Sequence, residues 1–123
     1  MSHQADLLRM AAEKMTERAN AATPGPWFET IQSARYGGIV AAGTDAYPAH
    51  DGYGGHLIGE SMSPANRAHV ASWAPAVAVA VAGWLEDEAC RIDDTPYRVD
   101  DDWIERNYRA PLAVARAYLG EQA

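Results

Sequence analysis

From Ala68 to Leu85 the chain runs for eighteen residues without an acid, a lysine or an arginine, and this apolar tract limits what the rest can fold into. Its centre, Ala76 to Ala82, alternates alanine with valine, which is the period of a strand. Length, the high helix propensity of alanine and the continuation through Trp73, Trp84 and Leu85 favour a helix instead, because a strand would end near Gly83. Ser63-Pro64 supplies a start, with serine able to cap and proline preset for the first turn. Pro75 must interrupt the run, so a short helix over 64–73 and a longer one over 75–91 are predicted. The stripe Val70, Trp73, Val77, Val81 and Trp84 spans both pieces. Val79 falls on the opposite side, so apolar groups surround the axis and both flanks need cover. A sheet is expected on one flank and the last helix, or a second copy of the chain, on the other; a homodimer follows as an expectation. The tract also just reaches the length of a membrane span. Its seven alanines, the internal His69, Ser72 and Pro75, and the acidic flank Glu86-Asp87-Glu88 argue against one, and no membrane partner is expected.

The remaining chain predicts an α+β fold in one domain, residues 1–123, since 123 residues leave no room for two full cores. Leu7, Leu8, Ala11, Met15, Ala19 and Ala22 recur at helical steps, giving an N-terminal helix over 4–21. Thr23-Pro24-Gly25-Pro26 ends it. Trp27 to Ala34 and Ile39 to Ala42 read as a β-hairpin across Gly37-Gly38, and 56–60 as a third strand, which together make a small three-stranded antiparallel sheet over 27–60. The thirteen-residue loop from Gly43 to Gly55 is long for a small domain, and such loops are functional or mobile. Beyond Asp100-Asp101-Asp102, whose acids suit a helix N-terminus, Trp103, Ile104, Tyr108, Leu112, Ala115 and Leu119 predict a C-terminal helix over 101–119, kinked or restarted at Pro111.

Charge is unevenly spread. Residues 86–105 hold nine acids against Arg91 and Arg98, and so carry as much net charge as the whole chain, −7. This stretch repels phosphate backbones, so direct nucleic-acid binding is not expected, whereas a basic protein would be attracted and steered. Glu86, Asp87, Asp93, Asp94, Asp100, Asp101 and Asp102 are the candidate partner-binding residues. Cys90 is the one cysteine, which excludes an intrachain disulfide and CxxC chemistry. The charged first twenty residues do not form a signal peptide, so a cytoplasmic location is expected.

No catalytic order stands out, and neither an enzyme nor a cofactor is expected. Gly59-Glu60-Ser61-Met62-Ser63 lacks the second glycine of a nucleophile elbow, and the glycine pairs at 37–38 and 54–55 lack a phosphate-loop context. His50, Asp51, His56 and His69 have metal-ligand character without matching a known spacing, so ordinary surface histidines are the simpler reading. Trp27, Arg35, Tyr47, His50, Asp51, Tyr53 and His56 are the candidate ligand-binding residues, offering phenol, imidazole and indole rings for stacking and an arginine for phosphate.

Two stretches carry a family likeness: Ala21-Ala22-Thr23-Pro24-Gly25-Pro26-Trp27, and Ala65-Asn66-Arg67-Ala68-His69-Val70-Ala71 followed by Pro75 to Leu85. Over roughly residues 10–90 the chain resembles small phage and actinobacterial proteins of unknown function, including those called Ead-like, that share an ATPGPW turn, a short sheet and an NAxHIA…P helix. The resemblance implies a phage or prophage accessory product acting on the bacterial host, and it brings no catalytic residues. The chain departs from the pattern in its longer glycine-rich loop and its Ala-Val run. Three functions are therefore in view: a non-enzymatic accessory protein that binds a host protein, a protein that sequesters a nucleotide-like signal, and a metal-dependent hydrolase.

Overall fold

The structure is a computed structural model that describes residues 2–31, 37–50 and 52–120. Among the described residues the order is α1 (His3–Ala21), β1 (Trp27–Ile31), β2 (Gly37–Ala41), β3 (His56–Met62), α2 (Pro64–Ser72), α3 (Pro75–Asp93), α4 (Asp101–Asn107) and α5 (Arg109–Leu119), an α+β fold. The strand reading over 32–34 lies outside the described residues. The chain forms two compact units, residues 1–17 with 79–123, and residues 18–78, so α1 and α3 each contribute to both.

The first unit is helical. Its core is built from Ala5, Leu8, Ala11, Ala12 and Met15 of α1, Ala82, Leu85, Ala89 and Ile92 of α3, and Ile104, Leu112 and Ala115 of α4 and α5. Alanines on the buried faces of α1 and α3 keep both surfaces low, which allows close helix packing around the larger Leu8, Met15 and Leu85. At the edge of this core the Arg9 guanidinium donates to Asp93 at 2.6 Å, which raises its pKa, and stands 4.0 Å from Glu86. Asp100 caps α4, its carboxylate accepting from the Trp103 amide at 2.9 Å.

Two expectations change here. The buried stripe of α3 is Ala78, Ala82, Leu85, Ala89 and Ile92, while Val70, Trp73, Val77 and Trp84 are exposed and Val81 only partly buried. The smaller residues go inward because they permit the closer approach, and the valines and tryptophans turn outward. Ala82, Leu85 and Ala89 are covered by the last helix, as expected of one flank, together with α1 and α4. The C-terminal segment divides at Tyr108, three residues before Pro111. Proline then lies in the first turn of α5, where its missing N–H leaves no helical hydrogen bond unmade.

The second unit is an antiparallel sheet in the order β1-β2-β3, with α2 packed on β1 and β2. Trp27 opposes Ala41 and Ile31 opposes Gly37, while Ala41 opposes His56. Irregularities between Gly37 and Val40 bend β3 against β2, with Ser61 at φ 57°. β2 is buried throughout, whereas Phe28 and Ile31 of β1 are exposed. The Gly25-Pro26 bond is cis, and the Trp27 indole N–H donates to the Thr23 carbonyl at 3.0 Å, fastening the proline turn to the start of the sheet. Ser63 does occupy the N-cap of α2, but its side chain makes no capping bond. What ties α2 to the sheet is Arg67, buried to 7% exposure, whose Nε donates to Glu29 of β1 at 3.0 Å. Gly37 leaves the space the guanidinium needs, since a Cβ there would fall on Arg67 and on the Thr30 carbonyl.

Candidate functional site

The excursion between β2 and β3 is more ordered than a thirteen-residue loop need be. His50 pairs with Gly55 in an isolated antiparallel bridge, its N–H donating to the Gly55 carbonyl at 2.9 Å, and the Thr44 amide donates to the Tyr47 carbonyl at 2.8 Å. Gly55 allows the chain to return against β2, where a Cβ would meet the Ala41 carbonyl. The segment is thereby folded back over the end of the sheet, and its rings come together.

His56 is the centre of that group. Its ring stands edge-on to Tyr47 with centroids 5.3 Å apart, and 4.9 Å from the ring of His50. The two imidazoles are held differently. His56 Nδ1 lies 2.9 Å from the Pro48 carbonyl, which can only accept, so this nitrogen carries the proton. His50 Nδ1 lies 2.9 Å from the Leu57 amide, which can only donate, so here Nδ1 is bare. In the neutral rings His50 therefore presents a donor at Nε2 and His56 an acceptor, a pair that can serve one small polar ligand in both senses. Tyr53 is turned to β3, its hydroxyl donating to Glu60 at 2.7 Å. Trp27 shares the row of His56 across β2 but is two strand spacings away, its indole N–H engaged by Thr23.

Of the seven ligand-binding candidates, then, Tyr47, His50 and His56 form a cluster, Tyr53 borders it and Trp27 stands apart, while Arg35 and Asp51 lie outside the described residues. His69 of α2 does not join the two loop histidines: among the described residues no three histidine, cysteine, aspartate or glutamate side chains are placed to hold a metal ion.

The acidic stretch is partly neutralised from within. Asp93 and Glu86 face Arg9, Glu88 accepts from Arg91, Asp101 stands 4.0 Å from His3, and Asp100 is spent on its cap. Asp87, Asp94 and Asp102 of the candidates have no side-chain partner among the described residues. The solvent side of α3 is divided lengthwise. Val79, Ala80, Gly83 and Trp84 leave it apolar, and Glu86, Asp87, Cys90 and Asp94 continue it as an acidic surface. Among the described residues no single helix is long and apolar enough to cross a membrane, and only the pair α2 and α3, bent by 54°, meets that test together.

Two arrangements escaped the sequence reading. One is the Arg67–Glu29 pair, thirty-eight residues apart in the chain. The other is a groove of about 630 Å³ on α4 and α5, lined by Glu105, Arg106, Arg109, Ala113, Arg116 and Ala117. Its only advance signal is the reversal of charge after Glu105, where three arginines follow with no acid before Glu121. Comparison with family models, with curated proteins and with solved structures finds no match to this chain.

Proposed function

We propose that this chain is a non-enzymatic phage or prophage accessory protein that acts on its bacterial host by binding a host protein. The observation that carries the reading is the outer side of α3, where exposed Val79 (45%) and Trp84 (38%) are followed by the unpaired Asp87 and Asp94. Exposed tryptophan and valine on a rigid helix make a contact that excludes water, and carboxylates beside it raise the encounter rate of a basic partner. The complementary surface is a shallow apolar patch bordered by lysine or arginine.

The test compares capture from host lysate by the parent chain, by Trp84→Ala and by Asp87→Asn/Asp94→Asn. A partner recovered by the parent should be lost with Trp84→Ala, and with the double variant it should bind more weakly and with less dependence on salt. Equal recovery by all three proteins would overturn the reading. The second function, sequestration of a nucleotide-like signal, has its own support in the Tyr47, His50 and His56 rings. A thermal-shift screen of nucleotides against the parent and His56→Ala tests it, because a ligand held by these rings must stabilise only the parent.

A further inference from the structure

The C-terminal groove is a local reversal in an acidic molecule. From Arg106 to Gly120 the chain carries three arginines and no acid, and all three line one depression of about 630 Å³, within the size range of small-molecule pockets. Their states differ. Arg116 is held in a two-pronged pair with Glu105, its Nη1 donating to one carboxylate oxygen at 3.0 Å and its Nη2 to the other at 2.6 Å. The Glu105 carboxyl is held below its usual range chiefly by this pairing, and the fully buried Gln4 faces it from α1. Arg106 uses its Nε on the Asp102 carbonyl at 3.3 Å, which leaves its terminal nitrogens available. Arg109 has no side-chain partner among the described residues.

The groove thus has one neutralised ion pair as a fixed wall and two guanidinium groups whose charges are unmet among the described residues. A phosphate monoester carries close to two negative charges at neutral pH and offers three acceptor oxygens, which matches two guanidinium groups in charge and in hydrogen-bonding capacity. Arg109 opens α5 at its junction with α4, three residues after Arg106. Ala113 and Ala117 follow one and two turns along and give the groove an apolar floor, which bare phosphate would leave unused. We propose that this groove is a binding site for an organic phosphate monoester, with the phosphate between Arg106 and Arg109 and the organic part lying on Ala113 and Ala117.

This site is independent of the protein-binding surface on α3 and of the histidine loop. It is tested by two-dimensional amide NMR of the full chain titrated separately with adenosine 5′-monophosphate, adenosine and inorganic phosphate, and repeated with Arg106→Gln/Arg109→Gln. The expected result is a saturable shift of the amides from Arg109 to Ala117 with the monophosphate, weaker shifts of the same amides with inorganic phosphate, and none with adenosine. The double variant, whose replaced side chains are exposed, should keep the parent's dispersed spectrum and bind the monophosphate at least about tenfold more weakly, the loss of one charge-assisted contact or more. Equal affinity for inorganic phosphate and the monophosphate would overturn the role of the alanine floor. Shifts located elsewhere, unchanged affinity in the double variant, or no saturable shift at millimolar concentration would overturn the site.

Discussion

The two compact units of this chain are held together by different physics. In the helical unit twelve buried apolar side chains form one cluster, and Gln4 of α1 is its buried polar side chain. In the sheet unit β2 is buried along its whole length, but two of its five residues are glycine, and β1 leaves Phe28 and Ile31 in solvent. There a buried arginine and close backbone approach at glycine do much of what side-chain packing does in the helices. Apolar packing tolerates small adjustments, whereas a charged group set over a glycine has one workable geometry. The helical unit should therefore be the more stable to opening, and the sheet unit the more sensitive to single changes of shape.

The largest effect should come from the helical core. Leu85 is fully buried among α1, α3, α4 and α5 residues, and Leu85→Ala should cost about 3 kcal/mol, from lost burial and the cavity left behind. Ile39 is equally buried in β2, but its neighbouring strand is open to solvent, so Ile39→Ala should cost nearer 2 kcal/mol because the site can relax. Hydrogen exchange resolved by residue checks both values in their own unit. If sheet amides outlast those of α1 and α3 in the parent, the contrast between the units is wrong.

Next in size is Gly37→Ala. One added methyl group would fall on the Arg67 guanidinium and the Thr30 carbonyl, and neither can retreat without breaking the Glu29 bond or the strand pairing. A loss of about 2 kcal/mol is expected in urea unfolding, within the range for overpacking. Gly83→Ala is the control, because a Cβ there meets nothing within 4 Å and alanine favours the helix; it should stabilise by about 0.5 kcal/mol. Were the two substitutions to behave alike, the close approach over Gly37 would not be what holds α2 to the sheet.

The contrast between units also explains what the sequence discloses. The helix stripe of α1 was legible because Leu8, Ala11 and Met15 repeat at the helical step and no tertiary rule competes with them. On α3 the same rule admitted two neighbouring stripes, and bulk pointed to the valines and tryptophans. Packing chose the alanines instead, since closeness of approach is a property of the facing helix and not of the tract itself. The loop histidines were identifiable as residue types, but their opposite hydrogen-bonding states depend on the Pro48 carbonyl and the Leu57 amide, which only the fold brings to them. Arg67–Glu29 and the arginine groove were hidden for the same reason: both are made by sequence-distant or helix-phase relationships that charge counting averages away.

The smallest predicted loss of stability concerns the one pair that belongs both to the helical unit and to the proposed phosphate groove. Arg116 holds the Glu105 carboxyl below its usual pKa, so the ionised form is favoured in the folded chain. The sign follows from linkage: a depressed carboxyl pKa adds stability that is present above the unfolded value of 4.5 and is lost as pH falls through the folded value. Glu105 is 36% exposed and Arg116 26% exposed in their side chains, so solvent screening limits the contribution to about 1 kcal/mol or less, even with a two-pronged geometry. Glu105→Gln mimics the protonated acid, and its destabilisation relative to the parent should therefore be present at pH 7 and disappear as pH falls through the folded pKa. Urea unfolding of both proteins across that range measures the difference directly and cancels the titration of the other acids. A difference independent of pH would mean that Glu105 acts through shape alone, and the groove would then lose the fixed, neutralised wall that leaves Arg106 and Arg109 as its unmet charges.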